Sequence, residues 1–490
     1  MPTREPFYAE SLALLTDLYQ LTMAYGYWKS ETANKDAVFN LFFRKNPFQG
    51  GYAIAAGLQP VIDVLAAFRF SENDIEYLRS LEGNNGKAIF DEAFLAHLSD
   101  LRFECDVDAI PEGTVVFPHE PLVRVRGPIM QCQILETFLL NVINFQTLIA
   151  TRAARICQSA GDDPVLEFGL RRAQGIDGGL AASRAAYIGG VAATSNVLAG
   201  RLFDVPVKGT HAHSWVMSFD NEMAAFEAYA EAMPNNCVFL VDTYDTVEGV
   251  KKAITVGKQL RERGYEMVGV RLDSGDLAWL SIEARRLLDE AGFPDASIVA
   301  SNDLDERLIE DLKRQGAQIN VWGVGTKLAT AYDQPALGGV YKLSAVREEN
   351  GDWEPRVKLS EQAIKVSNPG IQQVRRYRTD QEFVADAIYD ERLGFEEVAQ
   401  IVDPMDPTRQ RLLPADSPYE DLLIPIFRSG QQVYEPPTIH DSRARTKQQL
   451  AMFHRGVRRF VNPHQYPVGL EAKLHEQKTE LILKSRELVH

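Results

Sequence analysis

MVGVRLDSGD, residues 267–276, opens as an apolar, β-branched run and stops in a charged glycine turn, after which a helical pattern begins near Leu277. Six other segments are built in the same way: VLEFG (165–169), VPVKGT (205–210), VFLVDT (238–243), SIVASND (297–303), INVWGVGT (319–326) and VYKLSAV (340–346). A short run that is apolar at successive positions reads as a strand covered on both faces. Such strands alternating with helices imply a parallel sheet. The regular spacing predicts an α/β fold in which this sheet closes into a (β/α) barrel. In a barrel the polar residues at the carboxyl ends of the strands carry the chemistry, and this chain collects its Asp, Ser, Thr, His and Arg there.

Outside this section the rhythm changes. Residues 11–28 have helical spacing with Ser11 as a candidate cap. Residues 38–43 read as a strand, 58–68 and 90–101 as helices, 107–125 as short strands broken by prolines, and 135–158 as a long helix. Past the repeat, 357–366 and 374–378 read as strands around the turn SNPG, and 442–461 as a basic helix. The expected organisation is an amino-terminal α+β part (1–150), the barrel (151–346) and a carboxyl-terminal part (347–490). The two outer parts are expected to pair into one α+β domain flanking the barrel.

Composition narrows the function. The 490 residues are 45% hydrophobic and 24% charged, ordinary for a globular protein. A net charge of −16 argues against a broad surface for nucleic acid or anionic membrane. An anionic substrate remains open to it through local Arg, Lys and backbone N–H groups. Cys105, Cys132, Cys157 and Cys237 form no CxxC pair, which speaks against a zinc site or disulfide framework and fits a reducing compartment. The first residues carry Glu5 and Glu10 and no apolar signal-like core, and no apolar run spans a bilayer, so a cytoplasmic location is expected.

The strand-end motifs supply candidate chemistry. In GTHAHSW (209–215), His211 and His213 would share one side of an extended segment. They could be hydrogen-bonded structural histidines, metal ligands awaiting a third partner, or an acid–base or nucleophilic pair assisted by Thr210 and Ser214. A place at a strand end favours the last. In RLDSGD, Asp273 and Asp276 can accept ribose hydroxyls, hold Mg²⁺ or cap the next helix; Arg271 can stack on a ring or fork onto a carboxylate. GVGT (323–326, with Gly325 and Thr326) and LGGVYK (337–342, with Gly338 and Gly339) let backbone N–H groups approach a phosphate. SND (301–303) lines the same cavity or caps a helix. In EFGLRRAQG (167–175), Arg171 and Arg172 would stand where an anionic substrate needs them. Tyr19, an aromatic on an apolar helix face, reads as core. A Schiff-base enzyme would need Lys208 or Lys342 at a strand end.

In this order the motifs resemble the nicotinate phosphoribosyltransferase family. The resemblance runs from LLTDLYQLTMAYGYW (14–28) through NLFFRKNPF, EFGLRRAQG, GTHAHSW, VGVRLDSGDL and VWGVGTKL to LGGVYKL, and on to KLSEQAIKVSNPG (358–370). It implies a type II phosphoribosyltransferase: an irregular barrel with a flanking α+β domain, usually a homodimer with shared active sites. The implied reaction joins nicotinate to 5-phosphoribosyl 1-diphosphate, giving nicotinate mononucleotide and pyrophosphate, the entry to NAD salvage. It is coupled to ATP hydrolysis through a phosphohistidine and uses Mg²⁺. The family's phosphorylated histidine maps to His213; His211 falls on a variable position and takes no role. The pyridine site maps to Tyr19, Thr210 and Arg271, with Tyr19 reaching the neighbouring subunit. Phe168 resembles the residue stacking on the pyridine, and Thr326 the contact to phosphoribosyl diphosphate. Asp273 would hold the ribose hydroxyls. Arg172 stands where a relative acting on the amide has glycine, which favours the acid as substrate.

Overall fold

The computed structural model describes residues 11–348, 351–395, 399–413 and 416–487, so Glu5 and Glu10 lie outside the described residues. The chain divides into two units, one made of Met1–Leu148 with Ala336–His490 and the other of Ile149–Pro335.

The second unit holds the repeat. Its strands are β1 (Val165–Glu167), β2 (Ala193–Thr194), β3 (Val238–Leu240), β4 (Gly269–Leu272), β5 (Ser297–Ser301) and β6 (Val321–Val324). They form one sheet in the order β2-β1-β6-β5-β4-β3, and every pair is parallel. The first strand therefore lies beside the last, and the order follows a ring that lacks a ladder only between β2 and β3. Residues 207–211 lie across that interval. Val207 makes a single parallel bridge to Thr194, and the Leu240 N–H donates to His211 Nε2 at 3.2 Å.

Two of the seven expected strands are thus corrected. VPVKGT contributes one bridge rather than a strand; its Pro206 has no N–H to give a ladder. VYKLSAV belongs to the other unit, where Val340–Arg347 runs antiparallel to Asp36–Phe42. A local apolar run does not specify its partner. Here the partner is set by non-local pairing: the Tyr341 ring stacks on Phe39 at 4.9 Å, and Arg347 Nε donates to Asp36 Oδ2 at 3.0 Å. The two-residue β2 was not foreseen.

Helices follow the strands for readable reasons. After β3, β4 and β5, Asp245, Asp276 and Asp305 are the N-caps of Thr246–Glu262, Leu277–Glu290 and Glu306–Arg314. Each accepts a first-turn N–H, at 2.9, 3.0 and 2.8 Å, which satisfies a donor the helix cannot. Gly249 lets the first of these helices press on the sheet, since a Cβ there would lie 2.0 Å from the Val241 carbonyl oxygen. Val270, Leu272, Ile298 and Trp322 are fully buried between sheet and helices. Glu306 Oε1 accepts from Arg152 Nη1 at 3.0 Å and Arg155 Nε at 2.9 Å. All three side chains are buried, and Arg152 Nη2 also pairs with Asp333 Oδ2 at 2.9 Å, so two carboxylates answer two guanidinium groups.

The first unit is α+β. Its larger sheet is antiparallel and includes Val340–Arg347, Asp36–Phe42, Val123–Pro128, Asp106–Ala109 and Ile424–Arg428 in that order. A second sheet centres on Phe383–Asp390 between Gln372–Arg378 and Val468–Glu471, with Arg376 Nε donating to the buried Asp386 Oδ1 at 2.9 Å. The first helix is Leu18–Lys29 with Asp17 at its cap position, not Ser11, because residues 12–16 turn, Leu15 N–H donating to Leu12 O at 2.9 Å. Residues 357–366 contain only the short 3₁₀ turn Ala363–Lys365 in place of the expected strand. The basic helix is Ile439–Ala451 and stops before Gly456. Cys105 Sγ and Cys132 Sγ, distant in sequence, lie 3.7 Å apart as buried free thiols. Among the described residues no helix is long and apolar enough to cross a membrane.

Candidate active site

A parallel sheet brings all its carboxyl ends to one edge, and the turns beyond those ends carry the polar cluster of the second unit. Arg271, inside β4, donates through Nη1 to Thr210 Oγ1. Its Nε is buried without a hydrogen-bond partner. Burial holds the Arg271 guanidinium below its usual pKa, Asp273 and Asp242 oppose that shift, and Arg171 adds to it. Arg171 is therefore close enough to be felt, and it lies with Arg172 in the exposed 3₁₀ turn Leu170–Arg172. Two cations with a spare donor suit an anionic substrate.

His211 and His213 differ in burial and in partners. The helix His213–Met217 begins at the second of them, directly after the extended Ala212. His211 is buried at 8% exposure, accepts from Leu240, and meets Tyr229 edge-on at 4.7 Å. Burial lowers its pKa to about 4, with Arg271 and His213 adding to the effect against the Ala212 carbonyl. It is a neutral structural histidine. His213 is 38% exposed. Its Nδ1 lies 3.1 Å from Thr243 Oγ1, and its Nε2 is 3.7 Å from Asp273 Oδ2 and 3.9 Å from Asp242 Oδ1. Among the described residues no group of three or more His, Cys, Asp and Glu is placed to hold a metal.

Asp273 and Asp276 separate into a helix cap and a carboxylate left free of capping. Asp276 caps the helix, which leaves Asp273 in the turn, where it accepts from Ser301 Oγ. SND supplies that serine and not a cap, since the cap is Asp305. Phe168, just past β1, packs its ring over Gly323, where a Cβ would lie 2.9 Å from two ring carbons. Gly325 N-caps the one-turn helix Thr326–Ala329. Ser214 is exposed on the His213 helix.

Tyr19, Gly338 and Gly339 belong to the first unit. Tyr19 is 48% exposed rather than core. Gly338 takes φ +77°, and Gly339 N–H donates to Asn144 Oδ1 at 3.1 Å. Of the two candidate lysines, Lys208 is exposed just past the Val207 bridge, and Lys342 Nζ donates to the Tyr341 carbonyl at 2.9 Å within the antiparallel sheet, away from the strand ends of the parallel sheet.

Sequence reasoning passed over Asp242, whose side chain is only 1% exposed. Its signal was available: Asp242…Asp245 repeats the Asp273…Asp276 spacing, the second aspartate capping the helix and the first turning to the cluster.

Three family models cover nearly the whole chain: the nicotinate phosphoribosyltransferase N-terminal domain over residues 14–144, the nicotinate phosphoribosyltransferase family over 165–365, and its C-terminal domain over 372–478. The chain is 44% identical to the nicotinate phosphoribosyltransferase of Bacillus subtilis, over 98% of this chain and 97% of that protein. The chain belongs to the nicotinate phosphoribosyltransferase family. It is 37% identical to the human nicotinate phosphoribosyltransferase over 95% of this chain and 96% of that one. The crystal structure of human nicotinic acid phosphoribosyltransferase superposes with a TM-score of 0.83 at 35% identity, covering 95% of this chain and 99% of that chain. Nicotinate phosphoribosyltransferase activity in NAD salvage is accordingly the function of this chain.

Proposed function

We propose that the strand-end cluster of the second unit is where nicotinate displaces the diphosphate of 5-phosphoribosyl 1-diphosphate, with turnover coupled to ATP through phosphorylation of His213. The carrying observation is the convergence of Arg271, Thr210, His213 and Asp273 at one sheet edge. In the reaction the C1–O bond to diphosphate breaks as the pyridine nitrogen bonds to the ribose C1, so positive charge develops on the ribose in the transition state and ends on the pyridinium nitrogen. Catalysis is then largely positioning and charge stabilisation. Arg271, with Arg171 nearby, would bind the nicotinate carboxylate while Thr210 fixes the guanidinium. Phe168, seated on Gly323, would stack on the pyridine. Asp273 would hold the ribose hydroxyls and face the developing positive charge. Gly325 and Thr326 would meet phosphate oxygens, with Ser214 beside the phosphorylated histidine.

Mg²⁺ usually takes one or two carboxylates together with substrate oxygens and waters. The Asp273 carboxylate, partly exposed in its turn, fits a cation carried on the diphosphate, and the cation would supply neutralisation of the leaving group. The cyclic strand order, with residues 207–211 across its gap, supports reading the second unit as an irregular barrel. The exposed Tyr19 supports a homodimer in which that ring completes the partner's pyridine site.

His213→Ala tests the coupling. ATP-stimulated pyrophosphate release should vanish and leave only a slow ATP-independent rate. Equal stimulation by ATP in the variant would sink the proposal.

A further inference from the structure

Asp242 is a buried carboxylate with two different oxygens. Oδ2 accepts from the Asp273 N–H at 2.8 Å and from Ser274 Oγ at 2.7 Å. It therefore pins the turn that presents Asp273. Oδ1 has no hydrogen-bond partner although it is buried, and the His213 Nε2 stands 3.9 Å from it. An unsatisfied buried carboxylate oxygen is costly, and a ring N–H is the donor this geometry offers it. Asp273 Oδ2, at 3.7 Å, approaches the same nitrogen. Neither distance is yet a hydrogen bond, but catalytic contacts are often long before substrate binds.

We infer that Asp242 is a positioning residue for the phosphoryl step: it holds the proton of His213 on Nε2 and thereby leaves the lone pair on Nδ1. The inference rests on the phosphohistidine reading above. Two carboxylates beside Nε2 favour a proton there and repel an incoming phosphate at that nitrogen. In that tautomer Nδ1 would accept from the Thr243 hydroxyl, whose Oγ1 lies 3.1 Å away. In the step, Nδ1 forms a bond to the γ-phosphorus of ATP as the bond from that phosphorus to the ADP oxygen breaks. The electron pair leaves with ADP, the positive charge gained by the ring is balanced by the carboxylates at Nε2–H, and water later cleaves the P–N bond to give phosphate. Through its second oxygen, the same side chain couples the ring to the turn that carries Asp273.

Asp242→Asn tests this, because the amide keeps the shape and an acceptor for the turn but turns a donor toward Nε2. Ring ¹⁵N spectra of histidine-labelled enzyme, with the His213→Ala spectrum identifying the resonance, should show His213 as the Nε2–H tautomer in the native protein and as Nδ1–H in the variant. Transfer of labelled phosphate from ATP should slow by about 10²-fold or more, since a wrongly held imidazole tautomer can cost up to about 10⁴, while the KM for nicotinate is unchanged. Asp242→Glu, which keeps the charge, should retain the native ring spectrum and recover part of the ATP stimulation, and it serves as the second variant if Asn disturbs folding. An Asn variant with native ring spectrum and native phosphorylation overturns the inference. So does one whose ring spectrum is native while its Mg²⁺ requirement rises, which would mark Asp242 as a cation ligand. If His213→Ala retained ATP stimulation, the underlying reading would fail, and the ring spectrum would still decide whether Asp242 holds the Nε2 proton.

Discussion

His211 and His213 are separated by one alanine and meet opposite fates, the first buried against Leu240 and Tyr229, the second half-exposed beside Asp242 and Asp273. Burial makes His211 a pH-sensitive element of stability. Its pKa is about 4 in the folded chain against an ordinary 6.5, so the unfolded chain binds the extra proton between these values. Stability from this residue is complete above pH 6.5 and is lost as the pH falls toward 4. At 1.36 kcal/mol per pKa unit the loss is at most roughly 3–4 kcal/mol. His211→Gln, whose side-chain oxygen can take the place of Nε2 in accepting from Leu240, should flatten that part of the profile, measured as the urea midpoint against pH. An unchanged slope would show that other groups set the acid limit. Spacing alone could not separate the two histidines, and only the family resemblance singled out His213, because their difference lies in which non-local groups, Leu240 or Asp242 and Asp273, each ring meets.

At the scale of elements, much was legible. Apolar runs at positions 165, 238, 269, 297 and 321 became parallel strands because burial on both faces selects such residues locally. VYKLSAV was misassigned because partner choice lies outside the run, and Asp242 was missed because its partners, the Asp273 N–H, Ser274 and His213, come from other segments. The cap pattern and the glycines then set how close each helix can come. Gly249→Ala places a methyl against the rigid Val241 carbonyl, so the helix Thr246–Glu262 must shift. Overpacking of this kind costs roughly 1–3 kcal/mol. Because Asp242 and Thr243 sit between strand and helix, the variant should also lose ATP stimulation out of proportion to its lowered urea midpoint. Native midpoint and native stimulation together would show that the contact yields freely.

For the whole molecule, the proposal of shared sites has a stoichiometric consequence. Mixing and co-refolding Tyr19→Ala with His213→Ala should restore turnover, because a mixed dimer then carries one site free of both changes. Random pairing gives about a quarter of native activity for a twofold dimer. If Tyr19 serves its own subunit, mixing restores nothing. One further consequence follows from where Asp36–Phe42 finds its partners. One flank pairs with Val123–Pro128, but the other waits for Val340–Arg347, and Asp36 and Arg347 are 311 positions apart. At about 5–20 residues per second of synthesis, the ribosome takes about 15–60 s to deliver that strand. Throughout that time the nascent chain exposes an unpaired edge of the kind that recruits other chains, so the cell's burden with this protein falls on chaperoning a half-built sheet during translation.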